Sequence, residues 1–176
     1  MFMNASRCSM IAAAALAAAC AGPAPQVAAP PVPAALAPAA GERAAFTWFA
    51  RGVQIYRCEA AEGGVVRWTF VAPEAQLFPS AQTNAVVGSH GAGPFWQALD
   101  GSRIVGKVKA RADAANAAGD IPWLLLTTTA EGPSGRMSLL TAVQRINTVG
   151  GVAPRSGCAS AADVSSKINA RTRSGE

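Results

Sequence analysis

From residue 42 onward, apolar and polar positions alternate with period two over much of the chain. Val66, Trp68 and Phe70 alternate with Val65, Arg67 and Thr69. That pattern predicts a half-buried strand with Trp68 and Phe70 facing inward. Residues 53–59 read likewise, and their β-branched and aromatic side chains favour a strand. Residues 95–99 and 103–110 flank Asp100-Gly101-Ser102, a hairpin signal because Gly supplies the positive backbone angle of a tight turn. Residues 123–129 predict a central strand. Residues 139–148 fit a helix or a strand; Thr, Val and Ile favour a strand stopped at Gly150-Gly151. The Ala-rich residues 110–119 predict a short helix. Turn signals recur about every 8–15 residues, so the expected fold is mainly β: a single-domain antiparallel sandwich or a partly closed barrel.

Residues 1–41 follow a different pattern and carry one charged side chain, Arg7, so 24 of the 25 charges lie in the remaining 135 residues. A basic start, a short apolar stretch over residues 9–19 and small residues before Cys20 are the parts of an export signal. Leu16-Ala17-Ala18-Ala19-Cys20 resembles a bacterial lipobox, which implies lipidation at Cys20; a plain secretory signal cut nearby is the alternative. With Ala21 rather than Asp after the cysteine, the resemblance implies outer-membrane anchoring. Residues 21–41 hold nine Ala and six Pro. Proline fixes φ and donates no backbone hydrogen bond, so the segment is expected to be an extended tether. The expected divisions are a signal at 1–20, a linker at 21–41, a β-rich domain at 42–158, and an atypical C-terminus at 159–176, a candidate for disorder.

Cys58 and Cys158 are the two cysteines of the expected domain. In an exported chain they predict one disulfide closing a loop of about 100 residues. Chain entropy gives such a link about 4–5 kcal/mol. Two free thiols or a metal pair are the alternatives. With His90 the only histidine and no Cys-x-x-Cys, no zinc site is expected. The net charge is +5. Lys107, Lys109 and Arg111 alternate and would share one strand face, solvated or turned to an anionic envelope polymer. No nucleic-acid motif accompanies the charge.

Several phrases together carry a resemblance. They are residues 52–58 (GVQIYRC), 68–78 (WTFVAPEAQLF), Gly88-Ser89-His90 with Gly93-Pro94-Phe95-Trp96, Asp100-Gly101-Ser102, 121–125 (IPWLL) and 143–154 (VQRINTVGGVAP), closing on Cys158. In this order they resemble the family of small exported proteins known as domain of unknown function 3455, over residues 45–158. The resemblance implies an exported, mainly β domain with no established activity. Some relatives carry a malate dehydrogenase name, but Gly88, Gly91 and Gly93 have the reverse of dinucleotide-binding spacing. No cofactor is expected. Relatives end in a strand rich in Tyr and Phe, whereas residues 159–176 contain no aromatic side chain. A frameshifted or degenerate end is one explanation, and a lost strand would expose a sheet edge.

His90 lies in a Gly-rich loop ahead of Pro94 and Trp96. With Asp100 as orienter and Ser89 or Ser102 as nucleophile, it could serve catalysis, although there is no Gly-x-Ser-x-Gly elbow. The scattered carboxylates do not form a glycosidase pair. Among Trp48, Trp68, Trp96 and Trp123, the core is expected to take Trp68 and Trp123, and Trp96 is the expected exposed ring. The preferred reading is a monomeric, exported, lipid-anchored module, periplasmic, extracellular or on the outer membrane. It would bind a small or polymeric ligand through His90 and Trp96. The rivals are an extracytoplasmic hydrolase using His90 and a purely structural envelope protein.

Overall fold

A computed structural model of the chain describes residues 30–159 and 165–172. The expectations for a signal at 1–20, for Cys20 and for the tether up to residue 29 lie outside the described residues.

Among the described residues, nine strands form one antiparallel sheet: β1 Phe49–Ala60, β2 Val66–Phe78, β3 Gly88–Gly91, β4 Phe95–Ala98, β5 Arg103–Ala112, β6 Trp123–Glu131, β7 Ala142–Arg145, β8 Thr148–Gly150 and β9 Ser165–Thr172. Their order is β7-β6-β5-β4-β3-β2-β1-β9-β8, so β1 to β7 are a simple meander. The hairpin at Asp100-Gly101-Ser102 joins β4 to β5, with Gly101 at φ 84.

β7 and β8 stand at opposite ends of the sheet, yet only Ile146 and Asn147 separate them in the chain. The sheet must therefore curl until its ends approach. Asn147 makes the corner at φ 52, a left-handed conformation that Asn tolerates better than most residues. One rim is stitched. Ile121 N–H donates to the Gly150 carbonyl at 3.0 Å, and Gly150 N–H donates to the Asp120 carboxylate at 2.7 Å. Asp120 and Gly151 form an isolated bridge. No continuous ladder joins the ends, so the sheet is not closed into a barrel.

Directly opposed residues of antiparallel strands project to the same face. One row therefore crosses the inner face: Gly150, Ala170, Gly52, Ala75, His90, Trp96, Ile104 and Ala130. The buried cluster Ala98, Ile104 and Met137 lies on this side, with Trp96, Val143, Phe46 and Trp48 packed against it.

The expected linker is partly docked. Leu36 is 0% exposed, and its carbonyl accepts from Gln144 Nε2 at 2.6 Å. Glu42 accepts from the Thr141 hydroxyl at 2.6 Å. A Pro-rich segment cannot join a ladder, but a single leucine among Ala and Pro still removes apolar area from water.

Of the atypical C-terminal segment, residues 165–172 join the fold, because β9 pairs with β1 from Arg51↔Arg171 to Arg57↔Ser165. Main-chain bonding along β1 needs no aromatic side chain, and the inner-row position of β9 is Ala170.

The helix expected at 110–119 is absent. Residues 110–112 extend β5, and a turn follows, with Gly119 and Asp120 N–H both donating to the Asn116 carbonyl. Ten Ala-rich residues are too few to nucleate a helix against the pairing of β5 with β6.

Lys107 and Arg111 do not share a face. A bulge between Val108 and Ala110 leaves Lys107 opposite Thr127 and Arg111 opposite Leu124, which project oppositely. Phe70, expected inside, is 50% exposed. Only residues 75–77 of β2 pair with β3, so the first half of β2 overhangs.

Candidate functional site

The inner face, together with the segment leading into β1, surrounds a cavity of about 980 Å³. Small-molecule sites span roughly 300–1,000 Å³. The inner row explains the space. Gly52, Ala75 and Ala170 line one wall, while His90, Trp96 and Ile104 line the other. Small residues opposite large ones leave a gap that the core does not fill. The segment Phe46–Trp48 lines it as well, with the Phe46 and Trp48 rings 4.7 Å apart and beneath the Arg136 guanidinium.

Trp96 is thus inside the curled sheet rather than on the outer surface. It faces Ile104 in β5 and fits because its diagonal neighbour there is Gly106, where a Cβ would come within 2.8 Å of the indole. His90 stacks on Trp96 with centroids 4.5 Å apart and planes 17° from parallel. When neutral, its Nδ1–H donates to the Phe95 carbonyl at 2.7 Å, which leaves Nε2 as an acceptor. Burial lowers the His90 pKa to about 4, with the Phe95 carbonyl opposing and Arg145 adding to the shift. The ring is therefore neutral at neutral pH.

His90 and Asp100 do not form a base and its orienter. The Asp100 carboxylate accepts from the Ser102 N–H and hydroxyl through Oδ1, and from Arg136 N–H through Oδ2. Ser102 is fully buried, and its hydroxyl accepts from Met137 N–H at 3.0 Å. Asp100 and Ser102 thereby tie the β4–β5 hairpin to the loop before β7. Ser89, the neighbour of His90 on β3, is exposed and projects to the opposite face.

The other tryptophans divide differently from expectation. Trp68 is half-buried, its indole N–H donating to the Ser156 carbonyl at 3.0 Å. Trp123 is half-buried too, and its indole N–H is sealed from solvent with no acceptor among the described residues. Trp48 packs on the cavity-side core. Cys58 and Cys158 form the disulfide, with Cα atoms 5.4 Å apart. Among the described residues no three His, Cys, Asp or Glu side chains could hold a metal, and no helix is long and apolar enough to cross a membrane.

Arg145 was not picked out in the sequence. It lines the cavity from β7, and its Nε and Nη2 donate to the Pro122 carbonyl at 3.2 and 2.8 Å. Its sequence signal is slight: an arginine two residues after Val143 in a short strand, hence on the face of an apolar neighbour.

A curled antiparallel meander around a partly apolar cavity defines the class: a small β domain built to enclose space. Residues 38–170 match the family described as Protein of unknown function (DUF3455), and the chain belongs to that family. No curated protein and no solved structure matches it.

Proposed function

We propose that the protein is an exported, lipid-anchored envelope module that binds a ligand within its curled sheet and catalyses no reaction on it. The observation that carries this reading is the His90–Trp96 stack on the wall of a cavity of about 980 Å³. A flat neutral pair offers apolar area and one nitrogen acceptor, which suits recognition of an apolar ligand better than proton transfer. The hydrolase alternative lacks support in the geometry, since the partner of His90 is a backbone carbonyl and Asp100 serves the β4–β5 hairpin. The anchor rests on the sequence around Cys20 and on the docking of residues 30–48, which would hold the domain close to a membrane-bound N-terminus.

Titrating the full chain with a neutral naphthylamine dye tests the binding reading. Fluorescence should rise on binding, and Trp96→Ala should weaken the dye several-fold while circular dichroism stays that of a folded β protein. Absence of dye binding in the wild type would overturn the reading. Mass spectrometry of the mature protein tests the anchor: an unacylated N-terminus at or near residue 20 refutes it.

A further inference from the structure

The cavity wall at β7 carries a charge that an apolar ligand alone does not explain. Val143 and Arg145 are two residues apart and share a face of β7, and Val143 packs against the core cluster beside Ile104 and Trp96. The Arg145 side chain is therefore on the inner side, where it lines the cavity. The Pro122 carbonyl engages Nε and Nη2, and Nη1 has no partner among the described residues. The ion pairs among those residues are Arg57–Glu59, Arg103–Glu131 and Lys167–Glu74. None includes Arg145. Asp120 receives the Gly150 N–H, and the Tyr56 hydroxyl donates to the Gly151 carbonyl.

A second guanidinium strengthens the positive field. Arg111 on β5 opposes Leu124, and Leu124 opposes Arg145, so the two arginines flank Leu124 on one face. Burial lowers the Arg145 pKa to about 10, with Tyr56 opposing and Arg111 adding to the shift. Arg145 is still a cation at neutral pH. A part-buried cation without an anion is unfavourable, and guanidinium geometry matches carboxylate and phosphate oxygens.

We propose that the cavity takes an apolar molecule bearing one anionic headgroup, with the headgroup on Arg145, Arg111 at the rim and the apolar body against Trp96 and His90. This rests on the cavity being a ligand site. The test uses the full chain carrying Cys20→Ser, which removes the expected acyl group. Dodecanoate, dodecyl phosphate and dodecanol are titrated calorimetrically below their aggregation limits. At least one anion should bind about tenfold or more tighter than the alcohol, the gain of a charge-assisted pair, and the tighter anion identifies the headgroup. Arg145→Gln should abolish that preference, so that anion and alcohol bind alike, and Arg145→Lys should keep part of it. Should Arg145→Gln fail to fold, the wild-type preference and its loss in high salt decide alone. Equal binding of all three probes overturns the anionic site and leaves the cavity reading standing. Binding of none overturns both.

Discussion

The two walls of the cavity are built on opposite terms. On one, β8, β9, β1 and β2 contribute Gly150, Ala170, Gly52 and Ala75 to the inner row. On the other, β3, β4 and β5 contribute His90, Trp96 and Ile104. The small wall has little side chain to pack and is held by its backbone and by a cross-link; the bulky wall is held by rings and aliphatic groups. The difference teaches where each wall is vulnerable. Loss of covalent or main-chain geometry should damage the small wall, whereas the bulky wall has side chains that can move.

The cross-link should show the largest effect. Cys58 on β1 joins Cys158 across a separation of 100 residues, so the chain-entropy estimate is about 4–5 kcal/mol, less any loss from residual structure in the reduced unfolded chain. Replacing both cysteines with serine should lower the urea midpoint accordingly. Hydrogen exchange should rise first in β1, β8 and β9 and later in β4 and β5. Uniform loss of protection across all strands would break the comparison.

A smaller effect separates the walls more sharply. At Gly52 an added Cβ would lie 2.1 Å from the Glu74 carbonyl oxygen and 2.6 Å from the Ala75 Cβ. Both belong to a paired strand that cannot pivot away. At Gly106 the added Cβ meets the Trp96 ring at 2.8 Å and the Leu126 Cδ2 at 3.0 Å, and a ring beside a cavity has room to turn. Gly52→Ala should cost about 1–3 kcal/mol, the usual range for overpacking, and Gly106→Ala clearly less. Gly106→Ala should instead alter Trp96 fluorescence. Equal losses in chemical denaturation would mean that the ring is as fixed as the backbone.

The sequence discloses these walls unequally. The Asp100-Gly101-Ser102 hairpin, the strand at 123–129 and the disulfide were legible because each depends on a local or covalent signal, and the mainly antiparallel β class followed from period-two alternation. What escaped depends on how the sheet curls. Nothing local marks Ile146-Asn147 as the corner between opposite ends of the sheet, so residues 139–148 read as one element. The bulge between Val108 and Ala110 breaks the alternation that would align Lys107 with Arg111. Leu36 docks from a segment whose composition reads as tether. Trp96 reads as exposed because it follows the Gly-rich loop of His90, but the position lies on the inner row. Arg145 became visible only when β7 closed one side of the cavity and left the guanidinium without a carboxylate among the described residues.

The last and smallest effect is a pH dependence confined to the bulky wall. The folded-state pKa of His90 is about 4, against an ordinary value of 6.5. Between those values the unfolded chain takes up a proton that the folded chain refuses, so the stability tied to neutral His90 is fully present above pH 6.5 and falls as the pH drops toward 4. Glu42 and Asp100 are held below their ordinary values of 4.5 and 3.8 chiefly by the hydroxyls of Thr141 and Ser102, so their contributions are lost only at lower pH. A comparison of pH 7.5 with pH 5 therefore isolates the only histidine of the chain. Thermal unfolding should show a lower midpoint at pH 5 for the wild type. His90→Phe keeps a ring on Trp96 and removes the titration, so its midpoint should change less between the two values. An equal drop in both proteins would place the acid sensitivity elsewhere and remove the buried, neutral histidine from the account of the bulky wall.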